Sequence, residues 1–341
     1  MKRLVKEGDT MQIISVSGFG YSGSGAVIDY LKGYSNISVF DAVEFQLLHE
    51  ADGLLDLRYF LSESRERISC NAAINRFLRL QQKGILARVL KNRVGEEYDR
   101  IVEDFISNLT CAEWNGRSQF DPEDVDTYSN SLLIRKIQEK LGFKLKKIGV
   151  TYPKYKQRYY SIASESKFDE CASQFIFSLF DTLKIPYKEK KCVFDMLLSA
   201  TNPDDGMQFF EDCKCIVVDR NPVDIWAVSK RKDDDYSFMP YNNVKQFVRY
   251  YRSMRTYMKH SKNALYIQYE DLIYKYEETT NLISNYLGET DRPTNEFLYF
   301  DPRKSAKYTN LENKETIDPQ ELKYIKENLS EYLYDFDAYK R

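Results

Sequence analysis

The fold is decided by the stretch Ile13-Ile14-Ser15-Val16-Ser17-Gly18-Phe19-Gly20-Tyr21-Ser22-Gly23-Ser24-Gly25-Ala26-Val27. It has the pattern of an apolar strand, a turn rich in glycine and serine, and the start of an amphipathic helix. Glycine lets the backbone bend tightly and approach an anion closely, and the free N–H groups and positive dipole end of a helix favour negative charge. The stretch therefore predicts a phosphate-binding loop between a strand and a helix.

The two outer glycines of this loop, Gly18 and Gly23, have the spacing of a Walker A motif. Ser24, however, stands where that motif has the lysine that reaches the β- and γ-phosphates. The missing lysine speaks against a standard ATPase or kinase. A tight strand-to-helix turn that binds no ligand stays open as an alternative.

Other apolar runs along the chain have the β-branched, nearly continuous composition of strands buried in a parallel sheet, and helical patterns separate them. Together with the first strand they are Gln12–Ser17, Ile37–Phe40, Lys147–Thr151, Cys192–Leu197, Cys215–Asp219 and Leu265–Gln268. Right-handed crossovers would place helices on both faces of this sheet, the first of them at Gly25–Gly33. The expected fold is a P-loop-like, three-layer α/β/α fold with a central, mainly parallel sheet.

We interpret the 341 residues as one such α/β domain with a helical insertion at about residues 54–145, where the pattern is helical and shows no convincing strand. In a transferase, a piece of this kind shapes the acceptor site. An ordinary packing role is equally compatible with the pattern.

Charge and cysteine usage limit the partners. The 50 basic and 52 acidic side chains leave a net charge of −2, so no basic surface indicates a nucleic acid or a membrane, and an anion site must be local. We find no signal peptide, no apolar segment long enough to span a bilayer, and no metal-ligand spacing among the six cysteines. These features predict a cytoplasmic protein with reduced thiols and no bound metal. They do not indicate an oligomeric state.

A second informative stretch begins as a buried strand at Cys215 and ends at Arg220-Asn221-Pro222. Pro222 at an N-terminal position and Asp224 in the first turn favour a helix there. A guanidinium at the carboxyl end of a parallel strand lies where α/β sheets bind ligands, and it can bind a phosphate through two N–H groups. Taken by itself, Arg220 could also be a strand-end salt bridge.

The two stretches, in this order along the chain, resemble the nucleotide motifs of a family of sulfotransferases. These enzymes use 3′-phosphoadenosine-5′-phosphosulfate (PAPS), and the resemblance is to the bacterial and glycan-type members. The resemblance implies that the N–H groups of residues 23–26 and the Ser24 hydroxyl hold the 5′-phosphosulfate, and that Arg220 holds the 3′-phosphate. It implies no metal. The implied cofactor-binding residues are Gly20, Tyr21, Ser22, Gly23, Ser24, Gly25, Ala26, Arg220, Ser229, Arg303 and Lys304.

The chain departs from the family pattern at two positions. Tyr21 stands where the family has the lysine or arginine that stabilises the leaving phosphate, and Ser229 falls one residue after the family's serine, a rotation of about 100° on a helix. Other cations that could take the place of the loop lysine are Lys154, Lys156, Arg158, Arg303 and Lys304. The last two belong to a basic segment that in related sulfotransferases closes over the nucleotide, although a solvated run of charges would look the same.

The transfer also needs a base for the acceptor hydroxyl, and the chain has only two histidines, His49 and His260. Glu44 follows the second predicted strand among apolar residues, where its pKa would be raised toward the range of a general base. Glycan-type sulfotransferases have a glutamate base after this strand, so we assign Glu44, with Asp41 and His49 as alternates. A carboxylate paired with an arginine stays possible for Glu44.

The sequence thus predicts an enzyme that moves the sulfuryl group of PAPS to an acceptor hydroxyl, and the glutamate base favours a carbohydrate acceptor. Two alternatives remain. One is a P-loop kinase acting on a small molecule or nucleotide, and the other is a nucleotide-binding module without catalytic activity.

Overall fold

The computed structural model describes residues 12–116, 156–231 and 238–339, together with positions 133, 136, 137 and 140. The chain divides into two compact units. The first unit consists of residues up to 49 and from 184 onward, and the second unit consists of residues 50–183. That the whole chain forms one sulfotransferase-like domain with an insertion stays a prediction.

The described elements are regular and short. The strands are β1 (Ile13–Gly18), β2 (Ile37–Phe40), β3 (Ala112–Gly116), β4 (Lys156–Tyr160), β5 (Lys191–Asp195), β6 (Cys213–Asp219) and β7 (Ala264–Gln268). The α-helices are α1 (Ser24–Leu31), α2 (Leu54–Arg58), α3 (Arg67–Lys83), α4 (Ile85–Val94), α5 (Glu97–Leu109), α6 (Glu165–Thr182), α7 (Asp204–Met207), α8 (Pro222–Lys230), α9 (Val244–Thr256), α10 (Tyr269–Tyr274), α11 (Tyr276–Leu287), α12 (Pro302–Ser305) and α13 (Pro319–Asn328).

A five-stranded sheet forms the centre of the first unit, in the order β2-β5-β1-β6-β7, and each neighbouring pair is parallel. The prediction of an α/β fold with a central parallel sheet is confirmed. Five of the six predicted strands are found within two residues of their expected ends. The sixth, at 147–151, lies outside the described residues.

Strand β1 lies in the middle of the sheet because every one of its residues can be buried. Ile14 and Val16 point to the face covered by α1 and α11, in one apolar cluster with Val27 and Ile283. The serines of β1 are buried too, and they bind the chain that follows β5. The Ser17 hydroxyl donates to the Leu198 carbonyl at 2.7 Å, and the Leu198 N–H donates to Ser15 Oγ at 2.9 Å. These bonds fix residues 196–201 beside the carboxyl end of β1.

The second unit is mainly helical over residues 54–109, within the predicted insertion. Its helices α5 and α6 pack through stacked rings of Phe105 and Phe175, whose centroids are 4.7 Å apart. The expectation that the insertion has no strand is wrong, because β3 pairs with β4 in an antiparallel two-stranded sheet. Strand β3 is largely exposed and its sequence, AEWNG, has no alternation of apolar and polar residues that would reveal it.

None of the helices in the described ranges is long and apolar enough to cross a membrane. The six cysteines are all free thiols.

The apolar face of β1 gives a stability prediction. We expect Ile14→Ala to lower the free energy of unfolding by about 2–5 kcal/mol, because the side chain is fully buried and its removal leaves a cavity. Urea unfolding would be followed by the emission of Trp226, which is buried in the first unit, in a Trp114→Phe background. Leu298→Ala is the control, since that side chain is 65% exposed, and it should change stability by less than about 0.5 kcal/mol. Equal effects of the two changes would contradict this description of the core.

Candidate functional site

The glycine-rich loop connects β1 to α1 through three residues with a left-handed backbone. The φ angles of Gly20, Tyr21 and Gly23 are +80°, +52° and +93°. The loop is closed on itself, since the Phe19 N–H donates to Ser22 Oγ at 3.1 Å and Ser22 is only 2% exposed. The Ser22 hydroxyl therefore shapes the loop from inside.

Neighbouring aromatic rings leave no room for side chains on two of the loop glycines. A Cβ on Gly23 would lie 2.4 Å from the ring of Tyr269, and one on Gly20 would lie 2.3 Å from the ring of Phe238. Both glycines also have positive φ, which glycine adopts without strain. The loop conformation thus depends on glycine for two independent reasons.

The first turn of α1 offers backbone donors. No side chain caps the helix. The Ala26 N–H donates to the Gly23 carbonyl at 3.0 Å, whereas the N–H groups of Ser24 and Gly25 donate to no acceptor in the described part of the chain. The Gly23 N–H likewise donates to no acceptor in the described residues, so three of the four N–H groups expected to hold the phosphosulfate are available to an anion, together with the Ser24 hydroxyl.

Arg220 lies directly after β6 and contacts the glycine loop. Its Nη1 donates to the Tyr21 carbonyl at 2.9 Å, its Nη2 donates to the Tyr308 carbonyl, and its guanidinium lies 4.9 Å from the centre of the Tyr269 ring. The residue is 6% exposed, and its Nε–H is buried without an acceptor in the described residues. Arg220 thus ties the loop to the segment around Tyr308 and keeps one spare donor.

Two buried carboxyl groups lie near this arginine. Asp224 accepts the N–H groups of Leu311 at 2.7 Å and Asn310 at 2.9 Å, and Glu270 accepts the N–H of Asn221 at 3.0 Å. Burial, with a further contribution from the charge of Asp224, raises the pKa of Glu270 to about 8. Because Glu270 is then mostly protonated at neutral pH, it does not cancel the positive charge of Arg220.

The other predicted cofactor residues are placed differently. Ser229 is buried, and its hydroxyl donates to the Trp226 carbonyl of its own helix at 2.8 Å, so it presents no exposed hydroxyl. Arg303 and Lys304 are exposed, and the Arg303 Nε donates to the Asp301 carboxylate at 2.9 Å. Arg303 is therefore engaged with a carboxylate of its own segment.

Among the other candidate cations, Lys154 lies outside the described residues, and Lys156 and Arg158 belong to β4 of the second unit. In the first unit, the Arg220 guanidinium contacts the loop at the carbonyl of Tyr21, and the Arg255 guanidinium lies 4.3 Å from the centre of the Phe19 ring.

An open cleft of about 640 Å³ lies at the carboxyl end of β1. Ligands of parallel α/β sheets bind at this edge. In the strand order, β2 lies on one side of β1 and β6 lies on the other, so the connections from β1 diverge here. The described lining residues include loop residues, aromatic rings and polar groups, namely Gly18, Phe19, Gly20, Tyr21, Ser24, Glu44, Gln46, His49, Met196, Ser199, Ala200, Thr201, Phe238, Tyr250 and Met254.

The predicted base, Glu44, lines this cleft, but its surroundings differ from the expectation. The side chain is exposed rather than enclosed by apolar residues, and one of its oxygens accepts the Gln46 amide at 2.5 Å. Of the alternates, Asp41 is exposed and pairs with Lys32 at 2.9 Å. His49 donates from Nε2 to the Met196 carbonyl at 2.7 Å, and burial lowers its pKa, so the ring is neutral at neutral pH.

The sequence analysis missed Asp195, the last residue of β5. Burial, with a further contribution from the negative charge of Glu44, raises the pKa of its carboxyl group to about 7. Its Oδ1 is buried without a hydrogen-bond partner in the described residues. The sequence did contain a signal, since Asp195 is a carboxylate at the end of a predicted strand. The burial of its Oδ1, however, is visible only in the structure.

Comparisons with known proteins give matches among solved structures alone. No protein-family model matches the chain, and no curated protein sequence matches it. In structure, the chain is similar to the sulfotransferase domain of the Synechococcus PCC 7002 olefin synthase, with 15% identity, 95% of each chain covered and a TM-score of 0.41. It is also similar to the sulfotransferase domain from the curacin biosynthetic pathway, with 14% identity, 95% of this chain and 99% of that chain covered, and a TM-score of 0.41.

Gly23 of the loop and Gly25 in the first turn of α1 give a matched pair of variants. Gly23→Ala should lower the free energy of unfolding by more than about 2 kcal/mol, because it places a Cβ at positive φ and against the Tyr269 ring. Gly25→Ala should leave stability unchanged or raise it by up to about 1 kcal/mol, since its Cβ would meet nothing within 4 Å and alanine favours the helix. Urea unfolding of both variants measures the difference. A Gly23→Ala protein as stable as Gly25→Ala would show that the loop does not have this conformation.

Proposed function

We propose that this protein is a PAPS-dependent sulfotransferase. The observation that carries the proposal is the direct contact between Arg220 and the glycine loop. The loop follows β1 and the arginine follows β6, and these strands are neighbours in register, with Gly18 opposite Val218. Two anion-binding elements are therefore joined at one edge of the sheet. This supports a ligand with two separate anionic groups.

The chain's own groups suit such a donor. The N–H groups of Ser24 and Gly25 and the Ser24 hydroxyl would hold the 5′-phosphosulfate at the positive end of α1. Arg220 would hold the 3′-phosphate, with its buried Nε–H as a donor that has no protein acceptor in the described residues. PAPS would supply the sulfuryl group and a phosphate leaving group.

The transfer step follows from this arrangement. The acceptor hydroxyl oxygen attacks sulfur, the S–O bond to the 5′-phosphate breaks, and its electron pair leaves with adenosine 3′,5′-bisphosphate. The loop N–H groups bind the charge on the leaving phosphate, a positioning and electrostatic task like that of phosphoryl transfer. Glu44, which lines the cleft, would accept the hydroxyl proton.

We further propose a carbohydrate as the acceptor. The cleft combines ring faces of Phe19, Tyr21, Phe238 and Tyr250 with polar side chains such as Gln46. Aromatic faces pack on the apolar faces of sugar rings, and amide and hydroxyl groups bind sugar hydroxyls. This combination supports a polyhydroxylated acceptor.

Calorimetric titration tests the donor. Adenosine 3′,5′-bisphosphate should bind at least tenfold more tightly than 5′-AMP, because charge-assisted hydrogen bonds to the 3′-phosphate contribute about 1.5–3 kcal/mol. Arg220→Lys should lose most of this preference, since an ammonium cannot bond both carbonyls and a phosphate as the guanidinium does. Arg292→Gln, which changes an exposed arginine, should bind as the unchanged protein does.

ATP with Mg²⁺ is titrated in parallel, and Trp226 emission verifies that each variant is folded. Equal affinity for the bisphosphate and 5′-AMP in the unchanged protein would argue against a 3′-phosphate site. Tighter binding of ATP with Mg²⁺ would favour the kinase alternative instead.

A further inference from the structure

The second unit carries a strongly basic surface on α3 and α4. Between residues 65 and 95 the chain has eight basic side chains and one acidic side chain, a net charge of +7 in a chain whose total is −2. From the balanced total we predicted no basic surface, and this prediction does not hold for the second unit. Seven of the eight cations are exposed, namely Arg65, Arg67, Arg79, Lys83, Arg88, Lys91 and Arg93.

The end of α3 presents its cations to solvent. Phe77 and Gln81 are buried on one face of the helix. Arg79 and Lys83 are four residues apart and exposed, and the helical period of 3.6 residues places them together on the opposite face. Only Gly84 separates this end of α3 from the start of α4.

The start of α4 presents one apolar and one basic side chain to solvent. Leu86 and Leu90 are buried on the inner face of this helix. Ile85 and Arg88, three residues apart, lie on the other side and are exposed. Together with Lys83 and the other exposed cations of the two helices, they form what we call the α3–α4 surface.

Structural roles within the fold do not account for the central charges of this surface. Arg67 is the first residue of α3 and Arg88 is the fourth residue of α4, so each lies near the positive end of a helix dipole, where a cation is unfavourable. The side chains of Arg67, Lys83 and Arg88 have no hydrogen bond or ion pair within the part of the chain that the structure describes. Their positive charge is therefore available to an external anion.

Ile85 indicates which kind of anionic partner fits. Its side chain is 68% exposed, the largest exposed fraction among the isoleucine and leucine side chains of the described residues. A lipid interface would remove this side chain from water, whereas a nucleic acid or an acidic polysaccharide would meet it with a charged, hydrated surface. Clusters of about four to eight Lys and Arg on an amphipathic helix are typical of surfaces that bind anionic lipid headgroups.

We propose that the α3–α4 surface docks on a membrane that contains anionic lipids. Lys83 and Arg88, with the other exposed cations, bind the lipid phosphates, and Ile85 enters the interface between them. The apolar faces of α3 and α4 remain packed in the second unit, so the helices lie on the membrane and do not enter it. This docking is independent of the sulfuryl transfer proposed above.

Sedimentation of the full chain with vesicles measures the docking. The probes are vesicles of phosphatidylcholine alone and of phosphatidylcholine mixed with phosphatidylglycerol. At about 0.1 M NaCl, the anionic vesicles should bind the protein at least about 100-fold more tightly, since each Lys or Arg at such a surface contributes about a fivefold gain in affinity. At about 1 M NaCl, where charges are screened beyond about 3 Å, most of this difference should disappear.

A matched pair of variants locates the charged part of the surface. Lys83→Gln combined with Arg88→Gln should weaken binding to the anionic vesicles about 25-fold. Lys167→Gln combined with Lys262→Gln removes two exposed cations outside the α3–α4 surface and should change the affinity by less than about threefold. Far-ultraviolet circular dichroism verifies that each variant is folded.

The apolar contact is tested separately. Ile85→Ser should weaken binding to the anionic vesicles about tenfold, and Leu298→Ser, which changes a side chain that is 65% exposed, should leave the affinity unchanged. In a protein with Ile85→Trp and Trp114→Phe, brominated lipids should quench the emission of the introduced indole. The buried Trp226 should keep its emission.

Three results would overturn the proposal. One is that the unchanged protein does not sediment with the anionic vesicles. Another is that the two members of either matched pair lose affinity equally. The third is that a labelled DNA duplex or heparin, at an equal concentration of negative charge, binds as tightly as the vesicles and is insensitive to Ile85→Ser, because the surface would then recognise a soluble polyanion.

Discussion

The guanidinium of Arg220 is the group on which the architecture of the site depends. It is buried, and two main-chain carbonyls, from residues 199 and 88 positions away in the sequence, accept its hydrogen bonds. Burying a cation costs free energy unless hydrogen bonds of this kind satisfy it. The guanidinium therefore has to lie where both carbonyls can accept its N–H groups, and the two carbonyls have to lie beside it. The Tyr269 ring joins the same assembly, since it lies beside the guanidinium and against Gly23. The shape of the loop is therefore set by contacts from three later parts of the chain.

Strand β1 separates two different environments. On the side of β6, Arg220 and the backbone donors of α1 favour anions, and the nearby Glu270 is mostly uncharged at neutral pH. On the side of β5, burial raises the pKa of the Asp195 carboxyl group to about 7. The proposed donor site and the proposed base, Glu44, thus lie on opposite flanks of one strand. The order of the strands places them there, and a sheet with β5 and β6 exchanged would reverse the arrangement.

Much of this site could be predicted from the sequence because its signals are local. The strand, the glycine turn and the helix of residues 13–27 each follow from adjacent residues, and the end of β6 at Arg220 follows from an apolar run and a proline. The rest depends on tertiary packing. Nothing local shows that the Ser22 hydroxyl turns inward, or that Ser229 bonds within its own helix. Burial was expected at Glu44, which is exposed, whereas Oδ1 of the half-buried Asp195 is buried.

The hydrogen bonds between β1 and Leu198 have a consequence for the order of folding. Ser15 and Ser17 are among the first residues of the sheet to be synthesised, but their partner lies more than 180 positions later, after the entire second unit. Contacts of such long sequence separation form slowly, because a large loop must close before they stabilise anything. On the ribosome, the second unit can fold while the serines of β1 still lack their partner. The glycine loop then acquires its final shape as one of the last steps, when Arg220 and Tyr308 have emerged.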